Sequence, residues 1–387
     1  SQYYNNYFLW RFYLDFLNNY IFFNNILFYN SRKRGVINMI QCDGSCVNNI
    51  ILHKVGNKGI DEGIKFSKST LKVDELLTNI LAKYFISPFK SEIYFRLFHQ
   101  VDLRLNEVYT YISSIFDDPA LLHEQSVNLA KHLYDQSTHP KIKGGEFYVV
   151  YFKDCTVDGK TVDAIGLFKS ENKDTFLKIY PSQDGFEIES EKGININRLD
   201  KGCIIFNLEK ENGYLVTIAD NTNKGKGAEA KYWTEDFLNV KPRQDGYYYT
   251  ENILSLYNNY ISNELPRKFE ISKAEQALLY SKSINTLKDN TNINLDEMSK
   301  KVFIKPQIID SFNKYKTSYQ EDKEVQFNDN IEVSQQALKR RAKGTMNIVK
   351  LDKNFDICIH GGEEYIQKGY DEEVKMNFYK LFFKEEK

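Results

Sequence analysis

From residue 146 to residue 219 the chain alternates short apolar runs with clusters of turn-forming residues, and this pattern constrains its fold more than any other feature. The runs are 146–152 (EFYVVYF), 161–169 (TVDAIGLFK), 174–180 (DTFLKIY), 201–208 (KGCIIFNL) and 213–219 (GYLVTIA). Each has the length of a strand and is too short for a typical helix. Val157-Asp158-Gly159-Lys160 separates the first two, and Asp-Gly between such runs signals a hairpin. Five sequential strands with short turns predict an antiparallel β-meander.

The flanks change period. Apolar positions recur three to four residues apart in Leu76/Leu77, Ile80/Leu81 and Tyr84/Phe85, which predicts a helix from about 73 that Pro88 ends. A second helix is expected near 105–116. A third restarts at Asp118-Pro119, a cap followed by proline at the first helical position. A short strand around Ile50–Leu52 precedes them, and a helix carrying Tyr232, Trp233, Phe237 and Leu238 follows the meander. After a polar stretch come a helix at 251–261 and another opened by the capping box Ser272-Lys273-Ala274-Glu275. Further helices are expected around Leu295–Val302, from Pro306 and at 334–343, with tail strands at 346–351, 355–359 and 374–383. The fold class is therefore α+β: an antiparallel β-meander flanked by helices, with a second, smaller helical and β C-terminal domain. The expected organisation is a leader at 1–38, an N-terminal meander domain at 39–268 and a C-terminal domain at 269–387.

Residues 1–38 differ from the rest in being crowded with Tyr, Phe and Asn and in closing on Ser31-Arg32-Lys33-Arg34. A membrane span needs about 20 mostly apolar residues, and here Asn18-Asn19, Asn24-Asn25, Arg11 and Asp15 interrupt the stretch. A secretory signal carries its basic residues before the apolar run rather than after it. The expectation is that Met39 is the natural start and that 1–38 is extraneous or disordered; a hydrophobic anchor with a basic stop is the rival.

Lys+Arg 52 against Asp+Glu 53 gives a net charge of −1, so no global basic field attracts nucleic acid and any DNA contact must come from a local patch. The densest basic run after residue 35 is Lys339-Arg340-Arg341-Ala342-Lys343. Its functional reading is a phosphate-contacting patch, and its structural reading is a last helical turn complementing the helix dipole. Lys224, Lys226 and Lys231, beside Tyr232 and Trp233, form a second candidate, although five basic residues face four acidic ones between Asn221 and Asp245. Gly225-Lys226-Gly227 lies between a strand and a helix but matches no phosphate-binding fingerprint.

Catalytic and metal signatures are missing. The six histidines show no metal spacing, and neither H-E-x-x-H nor G-x-S-x-G occurs. Asp163, Glu187, Glu189 and Lys169 could be imagined as a nuclease centre, but their spacing gives no convergence, and solvated strand-edge charge is preferred. The five cysteines are scattered. Cys42 and Cys46 form a C-x3-C pair with His53 nearby, yet a tetrahedral zinc site needs four ligands and no second pair answers this one. They are read as reduced thiols. No cofactor, no metal and no catalytic residue is expected.

The stretches GGEFYVVYF, VDAIGLFKS, GININRLDKGCIIFN and DNTNKGKGAEAKYWTEDFLNV resemble the 37-kDa bacterial nucleoid-associated protein family. Lys224-Gly225-Lys226 corresponds to that family's glycine-and-basic segment, and Phe237-Leu238 to the end of its aromatic helix. The resemblance covers about residues 46–387; residues 1–38 have no counterpart, and Glu229, Glu235 and Asp236 dilute the basic segment. It implies a non-enzymatic protein of the cytoplasm and nucleoid. DNA is the implied partner, and the local basic patches are the expected contacts, binding nonspecifically through Lys224, Lys226, Lys231, Lys339, Arg340, Arg341 and Lys343, unless the DNA is reached indirectly. The alternative is a protein-interaction module recruited to DNA-processing machinery, with a metal-dependent nuclease behind it. A homodimer is compatible with either, and no membrane partner is expected.

Overall fold

The computed structural model describes residues 40–90, 93–222, 231–341, 348–358 and 365–385. The leader 1–38 and its proposed start at Met39 lie outside the described residues. The chain divides into two packed units, the first formed by residues up to 91 with 95–241, the second by 92–94 with 242–387.

In the first unit the strands are β1 (Ile40–Gln41), β2 (Val47–Val55), β3 (Ile64–Lys65), β4 (Phe95–Leu97), β5 (Gly145–Val157), β6 (Lys160–Ser170), β7 (Asp174–Ser182), β8 (Gly185–Gly193), β9 (Lys201–Phe206), β10 (Leu215–Asp220) and β11 (Val240–Pro242). The main sheet runs β11-β4-β10-β9-β6-β5-β2-β3, with β1 added beside β5. Its centre is the expected meander, β5-β6-β9-β10. The Asp158-Gly159 turn joins β5 to β6 with both residues at positive φ, 49° and 73°, and Val157 pairs with Lys160 across it. That is the two-residue geometry whose twist matches the strands.

Burial on both faces explains the nearly unbroken apolar strands. Phe147, Val149, Tyr151, Ile165 and Leu167 face a core shared with α2 (Glu107–Asp117) and α3 (Leu122–Gln136). On the opposite face α1 (Glu75–Ile86) packs Phe85 against Tyr148 and, stacked at 4.4 Å, against Phe168. Residues 232–237 wind as a π-helix, with Leu238 N donating to Trp233 O. The wider turn sends Trp233 and Phe237 together into the core.

The meander departs from the expected five strands in one respect. β7 leaves the sheet and, among the described residues, pairs only with β8, a strand with no counterpart among the expected five, to make a separate ribbon between β6 and β9. In β8 (GFEIESEKG) only Phe186 and Ile188 are apolar, and both are exposed, so there is no buried face to leave a strong hydrophobic signal.

The second unit is mainly helical: α4 (Gly246–Asn259), continued by a π-turn through Lys268, then α5 (Lys273–Lys288), α6 (Leu295–Phe303), α7 (Pro306–Lys323) and α8 (Gln335–Arg341). Its core is aromatic, with Tyr257 stacked on Phe303 at 5.6 Å and Tyr260 against Phe312, its hydroxyl donating to Ile308 O. Because Ile253, Leu254, Tyr257 and Tyr260 bury their side chains here, α4 belongs with this unit, and the division falls at 241–242 where the sequence reading drew it near 268. Small hairpins complete it: β12 (Asn292–Ile293) with β13 (Ile331–Glu332), β14 (Ile348–Leu351) with β15 (Phe355–Cys358), and β16 (Ile366–Asp371), absent from the sequence reading, with β17 (Met376–Leu381).

Candidate nucleic-acid interface

Of the seven basic candidates, Lys224, Lys226 and Lys343 lie outside the described residues. The remaining four fall into separate environments, one in the first unit and three in the second.

Lys231 is exposed at the start of the π-helix, where its ammonium pairs with Glu235 one turn on, at 2.9 Å. The aromatic residues beside it cannot stack on bases. Tyr232 is 2% exposed and Trp233 0%, both committed to the core. The stacking part of this candidate is therefore not available, and the one of its three lysines among the described residues, Lys231, is matched by a carboxylate.

Beneath that segment lies a polar cluster the sequence reading did not foresee. Antiparallel register sets Lys169 on β6 opposite Lys201 on β9, and Lys201 opposite Asp220 on β10. Both lysines are buried. Two buried ammonium groups side by side persist only when compensated. Lys169 Nζ lies 3.2 Å from Glu171, donates to Lys143 O at 2.9 Å and meets the Tyr232 hydroxyl at 3.1 Å. Lys201 pairs with Asp220 at 2.9 Å. Both ammonium groups sit against the Tyr232 ring, at 5.2 and 5.1 Å from its centroid. Asp200 accepts from the backbone N–H groups of Glu171 and Asn172, fixing the strand end that carries Glu171. Burial pushes the Lys169 ammonium below its ordinary pKa, with Glu171 opposing the shift, and burial drives the Tyr232 hydroxyl far up. These groups face each other rather than solvent, so the cluster anchors the point where β10 ends and the π-helix begins. Its sequence trace was a lysine placed within apolar strands, at the end of VDAIGLFK and the start of KGCIIF.

The imagined nuclease residues do not meet. Asp163 accepts from the Tyr151 hydroxyl at 2.7 Å, and Glu187 and Glu189 belong to the β7–β8 ribbon. Asp163 and Lys169 are six residues apart on β6, a span of roughly 20 Å at about 3.3 Å per residue. His53, considered beside Cys42 and Cys46, has both ring nitrogens engaged: Nδ1 accepts from Ser67 N at 3.0 Å and Nε2 faces Ser126 Oγ at 2.9 Å. Burial lowers its pKa to about 4.

In the second unit α8 places Lys339, Arg340 and Arg341 in its last turn. Arg341 is consumed internally, its Nε on Glu251 at 3.0 Å and its Nη2 on Ser255 Oγ at 3.0 Å. Arg340 donates to the Tyr247 hydroxyl at 2.9 Å, a neutral partner that leaves its charge standing. Lys339 is exposed and has no acidic partner among the described residues. Arg340 borders a cleft of about 180 Å³ lined also by Arg243, Tyr247, Tyr248, Glu251 and Asn252. Its two carboxylates are each matched by a cation, Glu251 by Arg341 and Asp245 by Arg243 at 3.7 Å. At this rim Arg340 carries a charge that no carboxylate among the described residues ion-pairs, and Lys339 precedes it on α8.

Among the described residues no helix is long and apolar enough to cross a membrane. The family model for the nucleoid-associated protein YejK matches residues 51–375, spanning both units. No curated protein matches the chain.

Proposed function

Because the chain belongs to this nucleoid-associated protein family, we propose that it is a non-enzymatic cytoplasmic protein that contacts the DNA phosphate backbone without sequence preference. The observation that carries this reading is the exposed end of α8. There Lys339 and Arg340 present two cations that no carboxylate among the described residues ion-pairs, Arg340 beside the tyrosine-lined cleft. Phosphate contacts of that kind supply affinity without reading base edges. Arg341, tied to Glu251, positions α8 against α4 and serves structure more than binding. The test is fluorescence anisotropy of the full chain with duplexes of unrelated sequence. Equal binding to all of them, weakening as salt rises, is the expected result; an affinity set by base sequence, or no binding at low salt, overturns it.

A second reading, recruitment through a protein partner, draws support from the β7–β8 ribbon. One face carries Leu177, Ile179, Phe186 and Ile188, 62–75% exposed, while the other carries Lys178, Glu187, Glu189 and Glu191. An exposed apolar strip of this kind marks interaction surfaces more often than chance. If DNA binding is absent and Leu177→Ser/Ile188→Ser releases the protein from nucleoid fractions, this reading replaces the first.

A further inference from the structure

The cysteine pair that the sequence left unanswered acquires a third member on folding. Cys155 lies more than a hundred residues from Cys42 and Cys46, yet the ligand atoms of all three fall within 4.8 Å of one another. We propose that Cys42, Cys46 and Cys155 form a metal site, holding one thiophilic divalent cation of the zinc class through three thiolates.

Three separate backbone devices converge on this arrangement. β1 pairs with the end of β5 in the register Ile40 to Val157 and Gln41 to Thr156, and continuing that register sets Cys42 opposite Cys155. Their sulfurs are 2.9 Å apart. A 3-10 turn over Gly44–Cys46 then returns the chain, closed by Cys46 N donating to Asp43 O and capped by Asp43 Oδ1 accepting from Ser45 N. This turn folds Cys46 back toward Cys42.

The third device is a β-bulge. Between the pairs Phe152–Ala164 and Cys155–Val162, β5 spends one more residue than β6, and Asp154 sits there at φ 54°. Side chains alternate along a strand, so an unbroken β5 would place Cys155 on the face of Tyr151. The bulge moves it to the face of Phe152, where Cys42 and the turn lie. Asp163 Oδ1 holds the bulge by accepting from Asp154 N at 3.2 Å. Left-handed backbone at a residue other than glycine, spent on re-aiming one side chain, is a device bulges serve beside functional sites.

The chemistry fits three soft donors. With zinc–sulfur bonds of about 2.3 Å, tetrahedral geometry separates two sulfurs by roughly 3.8 Å, so loading widens the Cys42–Cys155 gap by about 0.9 Å, within reach of side-chain rotation. Binding exchanges three thiol protons for one cation: Zn2+ plus three thiols gives a zinc tris-thiolate and three H+. No His, Asp or Glu joins the three sulfurs among the described residues, so the fourth position goes to a ligand from outside this set, as in zinc sites that keep one position open. A disulfide between Cys42 and Cys155 is the competing use of the pair, but it would leave Cys46 and its capped turn without a role.

The test uses the full chain purified under reducing conditions. Zinc content is measured by mass spectrometry of the metal, and Co2+ reconstitution is followed by its thiolate charge-transfer absorption. The expected result is roughly one tightly held ion per chain, falling at least tenfold in Cys46→Ser and Cys155→Ser and unchanged in Cys358→Ser. Cys46 is half-buried in a surface turn, so Cys46→Ser keeps the test valid if Cys155→Ser fails to fold, with circular dichroism as the check. Failure of the reduced chain to retain zinc, equal retention by Cys46→Ser, or a Cys42–Cys155 disulfide in the freshly isolated protein overturns the proposal.

Discussion

Replacing Glu171 with Gln removes one carboxylate and should cost more than any surface ion pair in this protein. The Glu171 side chain is 7% exposed and the Lys169 side chain 0%, with 3.2 Å between their charges. In the variant Lys169 keeps Lys143 O and the Tyr232 hydroxyl but loses the carboxylate in direct contact with it, leaving the more distant Glu62, while Lys201 still faces it across the strands. Removing one partner of a buried pair costs about 3–5 kcal/mol, because the remaining charge is left uncompensated. Lys169→Met with Glu171→Gln should recover much of the loss, since the double change removes the buried charge itself; a coupling above about 1 kcal/mol is expected. The pH dependence gives an independent check. Burial lowers the folded-state pKa of Lys169, so the folded chain binds fewer protons than the unfolded chain as pH rises toward the free lysine value. Stability then increases with pH. The increase should be steeper in Glu171→Gln, where the counter-charge is gone. Urea unfolding followed by tryptophan fluorescence reads this unit through Trp233. A loss below about 1 kcal/mol at pH 7, or a double variant as unstable as the summed singles, would refute the reasoning.

Other outcomes follow from single residues. His53 has its pKa lowered to about 4 from 6.5. The unfolded chain therefore takes up a proton first, and stability should fall on the order of 2 kcal/mol as pH drops from 6.5 toward 4; His53→Gln should flatten that slope in pH-dependent urea titrations. A Cβ on Gly213, at φ 95°, would meet Leu97 O at 2.0 Å, whereas Gly159, at φ 73°, has open space around it. Gly213→Ala should cost well above 2 kcal/mol and Gly159→Ala only about 1 kcal/mol, compared by thermal unfolding. Ser272 accepts from Glu275 N while Glu275 accepts from Ser272 N. Ser272→Ala should therefore destabilise the second unit by about 1 kcal/mol in denaturant melts.

What could be read from the chain follows from how each feature is encoded. The meander strands and the helices from Glu75 to Gln136 are local in origin: apolar period, Asp118-Pro119 and Asp158-Gly159 specify them without long-range information. The ribbon strand β8 is exposed along its length, so no burial pattern marks it. The alliance of Cys155 with Cys42 depends on a bulge and on strand register, and neither is visible in residue spacing. Tyr232 and Trp233 beside Lys231 looked like a stacking surface because sequence adjacency does not say which face is buried. In the Lys339–Arg341 run the charges were legible, but the pairing of Arg341 with Glu251, ninety residues away, was not.

The central claim, that the end of α8 contacts DNA phosphates, is tested most directly by the salt dependence of binding. Each phosphate contact contributes about 0.9 to the slope of log affinity against log salt. Lys339→Ala/Arg340→Ala should therefore bind more weakly on every duplex and with a slope shallower by roughly 1.8. A wild-type chain that binds duplex DNA with the same slope as this double variant would contradict the claim.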